Sequence, residues 1–348
     1  QRTALADNLK DIPRIGETLS KKVAPKKEVD TPTESSFDLN ITVAGSAAVN
    51  STRHVTLAEV SDARVAAVDA ALHAPRMTVA ALEELVAVAA AGGGAIARGK
   101  DPKVKTKGSG AGAVAVNIVR NDTDALLRRA TLSDYAALDV LAERRGENVS
   151  VGLGIAASSG GTQGQTQSVG LAVSVSVSDV DNHLQALVER STLSGSMRGA
   201  PAVQVLARDR SLTGIGGAAI SVKQSKGVGA TVAVGLIRSD VTAAIHGGRI
   251  SRTTDVTVGA FDPTTLVAAA AAGAVAESQA QTGGKPAISV NGSVAVNFAA
   301  TTTRAEIASW VDPASTAGLS RERADLDVAG AVRVLASDQV STAVAATF

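Results

Sequence analysis

No cysteine occurs in the 348 residues, which excludes disulfides and thiolate metal sites. Rings are almost as scarce: one Trp, one Tyr and four Phe, 2 % of the chain. A core filled by aromatic side chains is therefore excluded. Neither sign of charge prevails, with 34 Lys and Arg against 33 Asp and Glu. That leaves no basic field for nucleic acid and no membrane-surface signal. No uninterrupted apolar run approaches the roughly 20 residues of a spanning helix. The opening, "QRTALADNLKDIPRIGETLSKK", is not a signal peptide. What the chain does have is small: hydrophobic residues reach 45 %, chiefly as Ala and Val, with 33 Gly besides. Layers built of such side chains must approach closely.

The apolar content repeats. Aligned on the residue after "VAV" or its variants, five copies place Asn50, Asn117, Ser178, Gly235 and Asn297 in one column. Val49, Val116, Val177, Val234 and Val296 precede them, and eight residues later stand Ala58, Ala125, Ala186, Ala243 and Ala305. A second word of the form V/L/M-x-V-x-A begins at Met77, Leu138, Val203, Val256 and Val332. An Ala- and Gly-rich word follows it. The period is about 62 residues, and a fixed period of this size is the mark of a solenoid.

"TVAALEELVAVAAA" from Thr78 reads as a helix in isolation, since Ala, Leu and Glu favour helix. Its counterparts "VSVGLGIAASS" and "LTGIGGAAISV" alternate with period two and are rich in Gly, Val and Ile. Stacked units share a conformation, so the strand reading is adopted for all copies. Around the aligned column the apolar phase changes. Val dominates one parity before it (Val114 and Val116; Val232 and Val234), and the other parity is apolar after it (Val119, Ala125 and Leu127; Ile237, Ala243 and Ile245). A one-residue slip turns a strand's apolar face over. A bulge or corner is therefore expected at this column, with Asn50, Asn117, Ser178, Gly235 and Asn297 forming a polar corner ladder.

The expected fold is all-β: a parallel β-solenoid of about five repeats of about 62 residues over 37–348. Right-handed crossover is the expected hand for a β-helix of parallel strands. Units begin near 77, 138, 203, 256 and 332, with the first and last incomplete. Residues 1–36, charged and containing Pro, are expected to be an insertion or linker. Neither end resembles a cap, so the chain is expected to continue into further repeats on both sides.

V-x-V-x-A, an Ala/Gly-rich strand, and then "GSVAVNFAATTTRAEI" from Gly292 resemble the repeats of large bacterial filamentous adhesins of the leukotoxin/filamentous-haemagglutinin-like type. The resemblance covers roughly 37–348 and rests on the repeat pattern. It implies a giant secreted shaft at the bacterial cell surface or outside the cell.

Residues that carry chemistry are sparse. The four histidines, His54, His73, His183 and His246, do not cluster, and His54 and His183 are expected at outward or near-corner positions. No HExxH, GxSxG or GxxxxGK[ST] motif is present. No catalytic, cofactor-binding or metal residue is assigned, and no cofactor is expected. Arg53, Arg120 and Arg238 share one position and make a possible partner-facing stripe. Five N-x-S/T sequences, at Asn40, Asn50, Asn121, Asn148 and Asn291, are expected from composition alone. The expected function is a structural shaft or adhesive segment without catalysis. Expected partners are neighbouring repeats, laterally associated chains, or a host or surface glycan or protein. Nucleic acid and membrane insertion are not expected. The alternatives are a polysaccharide-binding or polysaccharide-cleaving β-helix and, last, a surface binder with a Thr array.

Overall fold

The chain divides into two units, Gln1–Phe37 and Asp38–Phe348. The computed structural model describes residues 39–67, 75–98, 106–159, 167–197, 199–224, 226–276, 288–312 and 321–347. The expected linker at 1–36 lies outside the described residues.

The described residues wind through five turns. The first comprises β1 (Leu39–Ser61), β2 (Arg64–Ala66) and β3 (Arg76–Arg98), and the second β4 (Thr106–Arg128), β5 (Thr131–Tyr135) and β6 (Ala137–Ser159). The third comprises β7 (Gln167–Glu189), β8 (Thr192–Gly195) and β9 (Ala202–Gln224). The fourth has β10 (Lys226–His246), β11 (Gly248–Thr253), β12 (Asp255–Asp262) and β13 (Thr265–Ala276). The fifth has β14 (Ile288–Ala308), a small hairpin of β15 (Trp310–Val311) and β16 (Arg321–Glu322), then β17 (Ala324–Val328), β18 (Val332–Asp338) and β19 (Ser341–Thr347). The fold is all-β with stacked parallel strands, a parallel β-solenoid. The helix-like stretch from Thr78 lies within β3 and is strand.

Three parallel sheets result. The front sheet runs β1-β4-β7-β10-β14. The back sheet stacks β3, β6, β9, then β12 with β13, then β18 with β19. A narrow edge sheet of β2, β5, β8, β11 and β17 joins them. The predicted alignment is the observed register: Asn50 pairs with Asn117, Asn117 with Ser178, Ser178 with Gly235, and Gly235 with Asn297. Met77, Leu138, Val203, Val256 and Val332 likewise share one column.

The expected corner at this column is not there. Front strands run through Asn50, Asn117, Ser178, Gly235 and Asn297 without a register shift, and inward positions alternate unbroken from end to end. The corner comes twelve residues later. Asp62, Arg129, Arg190 and Gly247 adopt left-handed backbone with φ of 50°, 47°, 47° and 65°. What changes at the Asn column is the size of the inward side chain. Before it Ala233, Thr231 and Gly229 point inward while Val232 and Val234 point out. After it Ile237, Val241 and Ile245 point inward. The sequence pattern records a change of filling on one face, which alternation alone reads as a change of face.

The interior is thus a wedge. Beside the edge sheet, Leu127, Leu138, Leu184, Leu193, Ile245 and their neighbours form a core of ordinary size. Midway, Val119, Val180, Ile215, Ile237 and Leu266 fill it. At the thin end the apolar filling between the sheets is alanine alone, Ala95, Ala111, Ala156, Ala172 and Ala219 among them, with Ser109, Ser168 and Ser174 between. Close approach explains the choice. A Cβ on Gly93 would stand 2.2 Å from the carbonyl oxygen of Gly112, and one on Gly154 would stand 2.6 Å from that of Val173. Large apolar side chains do not fit between the sheets here, and they stand outside.

Candidate functional site

The predicted ladder sits mid-strand and faces inward. Asn50 Nδ2 donates to Asn117 Oδ1 at 3.1 Å, and Asn117 Nδ2 donates to the Ala87 carbonyl at 3.1 Å. Asn297 Nδ2 donates to the carbonyls of Leu266 and Ala343 at 3.2 and 2.8 Å. Asn117 and Asn297 thus bridge front and back sheets where the filling changes, and Asn50 ties to Asn117 along the front sheet. Gly235 has no side chain to bridge with; a Cβ there would press on Ile215, Leu266 and Asn297 within 2.8 Å.

Arg53, Arg120 and Arg238 do share an outward column, with Asp181 between the last two. Arg120 holds Asp179 at 2.6 Å and Asp181 at 3.6 Å, and Arg238 reaches the same two carboxylates at 3.5 and 3.7 Å. Arg53 pairs with Asp122 at 3.4 Å. The stripe is therefore mutually neutralised, and such half-exposed pairs each contribute about 0–1 kcal/mol.

The histidines stay apart. His183 faces out near Asp240, and His246 meets Glu306 at 2.7 Å. His54 faces inward, in the column of Asn121 and Asn182, against the expected outward placement. His73 lies outside the described residues. Asn121 and Asn148 are buried, so neither can carry a glycan in the folded chain.

One constellation escaped the motif search. Glu83, Arg144, Asp209, Asp262 and Asp338 occupy a single inward column of the back sheet. Each stands six residues after the start of its V-x-V-x-A copy, so a charged residue recurs at one inward position in every turn. That recurrence is the sequence signal that finds them. Arg144 is fully buried, 3.5 Å from both Glu83 and Asp209. Its Nη1 also donates to the Ser211 hydroxyl. Opposite, on the front sheet, Thr123 donates to Glu83 at 2.5 Å and Asn182 to Asp209 at 2.7 Å. Turned so that its oxygen meets Arg144 Nη2 at 2.7 Å, the Asn121 amide presents its nitrogen to Glu83 at 3.1 Å. Buried charges persist only with such partners.

Beyond Asp209 the column carries no further cation. Asp262 is fully buried, receives a hydrogen bond from Thr264 Oγ1, and leaves Oδ2 without a partner. Burial pushes its pKa up to about 6; Thr264 and Ser239 hold it back, while Asp209 and Asp338 push it further up. The folded protein thus holds this proton more tightly than the unfolded chain. Stability from this group is full below about pH 4, declines as pH rises through about 6, and is flat above, a loss of about 3 kcal/mol. Asp262→Asn removes that slope. Urea unfolding at pH 4 and pH 7.5 is expected to show the variant gaining on the parent protein at the higher pH; an unchanged gap contradicts the assignment.

Among the described residues no group of three or more His, Asp or Glu is arranged to hold a metal ion. A shallow pocket of about 180 Å³ opens on the outer back face, lined by Arg208, Arg210, Phe261, Pro263, Ser337 and Gln339. Arg208 lies over the Phe261 ring at 5.4 Å. No protein-family model, curated protein or solved structure matches this chain.

Proposed function

We propose that the chain is a structural shaft segment of a large secreted bacterial surface or fibre-forming protein, without catalysis of its own. The observation that carries this reading is the continuity of its axial ties. Five turns stack in register through full-length parallel ladders. Side chains repeat the tie from turn to turn: Asn50 to Asn117, Arg129 to Asp62 at 2.5 Å, and Arg144 to Asp209. Force along the axis is then shared by many parallel hydrogen bonds, as a shaft requires. The likeness of 37–348 to filamentous adhesin repeats supports the same reading and adds the location, outside the cell.

Antibody raised against the chain is expected to label intact cells that make it, and external protease is expected to release the epitope. Labelling only after permeabilisation would overturn the surface assignment.

The pocket at Arg208 favours a second reading, a polysaccharide-binding β-helix. Two guanidinium groups beside an aromatic ring and two side-chain hydrogen-bonding groups suit an acidic sugar.

A further inference from the structure

The thin part of the wedge carries its large side chains outside, on both faces. On the front sheet four consecutive outward columns contain only Val, Leu, Ala and Gly in all five strands. They begin at Val43, Gly45, Ala47 and Val49, and the last reads Val49, Val116, Val177, Val234, Val296. On the back sheet the outward columns that begin at Val88, Ala90, Gly92, Gly94 and Ile96 contain Val, Ile, Leu, Ala and Gly, with Thr347 the one hydroxyl. These side chains are open to solvent: Val49 is 69 % exposed, Leu171 48 % and Val151 42 %.

Each band is large. At about 3.3 Å per residue and about 4.8 Å per strand, the four columns of the front band measure about 26 Å by 24 Å, roughly 630 Å², and they end at the column of Ser51, Ile118, Asp179, Leu236 and Phe298. A monomer's largest apolar patch is typically about 300–600 Å², and a stable interface buries about 600–1,000 Å² per partner.

We infer that these faces are covered by further copies of this chain, the front of one blade lying on the back of the next. Relief and chemistry both favour this occupant. The front carries two adjacent ridges of Val, through Val175 and Val177. The back is low where Gly214, Gly216, Ala218, Ala269 and Ala271 lie side by side. Ridges seat in that trough, whereas front against front sets Val ridge on Val ridge. Apart from the Thr347 hydroxyl at the edge of the back band, neither band offers a side-chain donor or charge to a polar ligand, and a sheet surface of the same spacing fits both. Because the two faces differ, the contact is heterologous, and every copy keeps a free face for the next, so blades associate side by side past the dimer. This association is independent of whether the chain is a shaft segment, and its test uses no cell.

The test is the size of the full chain in solution across a hundredfold concentration range, read by sedimentation velocity. The parent is expected to grow beyond dimers with concentration. Val177→Lys on the front and Val151→Lys on the back, each alone, are expected to leave monomers, with circular dichroism and thermal midpoint near those of the parent. Val177→Thr, which keeps the shape and adds one hydroxyl, gives an intermediate size should either Lys variant fold poorly. Stable dimers in a single-face variant overturn the front-to-back arrangement. A parent that stays monomeric, assembly indifferent to all three substitutions, or a parent that floats with phosphatidylcholine vesicles in place of associating with itself overturns the inference.

Discussion

Replacing Arg144 with methionine is expected to destabilise the fold by about 3–5 kcal/mol. The guanidinium is fully buried between Glu83 and Asp209, which are buried themselves. Methionine fills much of the space but strands two carboxylates in an interior that has no other cation in that column. The chain even makes room for the group, since a Cβ on Gly146 would stand 2.6 Å from Arg144 Nη2. The cost lies in the stranded charges more than in a lost attraction, because a buried pair is worth little against a well-packed apolar substitute. Adding Glu83→Gln and Asp209→Asn to the methionine variant is therefore expected to restore most of the loss. Denaturant midpoints of the three chains decide it; a single-variant loss below about 1 kcal/mol contradicts the buried-charge account.

Gly93→Val is expected to cost at least about 3 kcal/mol, while the neighbouring Gly94→Val stays within about 1 kcal/mol of the parent. The two glycines are adjacent in β3 and point to opposite sides. A Cβ at Gly93 meets the Gly112 backbone at 2.2 Å, which no rotamer relieves, so the sheets must part. At Gly94 nothing lies within 4 Å. Valine there joins an outward column beside Ile155 and keeps strand geometry. Thermal unfolding of both variants checks the contrast, and equal losses would mean that the thin end is not closely packed.

The repeat made the architecture legible. Period, register and strand content follow from five copies of one pattern, and copies that disagree in helix propensity agree in alternation. The faces were harder to read. Apolar alternation normally identifies the buried side, and Val beside Ala points to Val inward. Here two sheets approach until the space between them is filled chiefly by Ala, Gly and Ser, so the larger apolar residue of each pair is outside. Asn117 then looks like a corner although it stands in mid-strand. At the real corner Asp62 and Gly247 are residue types that favour left-handed backbone, but Arg129 and Arg190 are not, so the column as a whole does not announce it. The column of Glu83, Arg144 and Asp209 is visible in the alignment once charge is followed along the repeat. Its pairing is not, because Glu, Arg and Asp replace one another there and their partners Asn121 and Asn182 come from another sheet.

Thiol accessibility tests the inverted faces most directly, and a chain without cysteine suits it. Ser176 is fully buried in the central front strand and donates to the Gly216 carbonyl at 2.6 Å; Val177 follows it on the outer face. In dilute native protein Val177→Cys is predicted to react with a maleimide at the rate of a solvent-facing thiol. Ser176→Cys is predicted to react only after unfolding. The reverse order would place the valines inside and contradict the wedge.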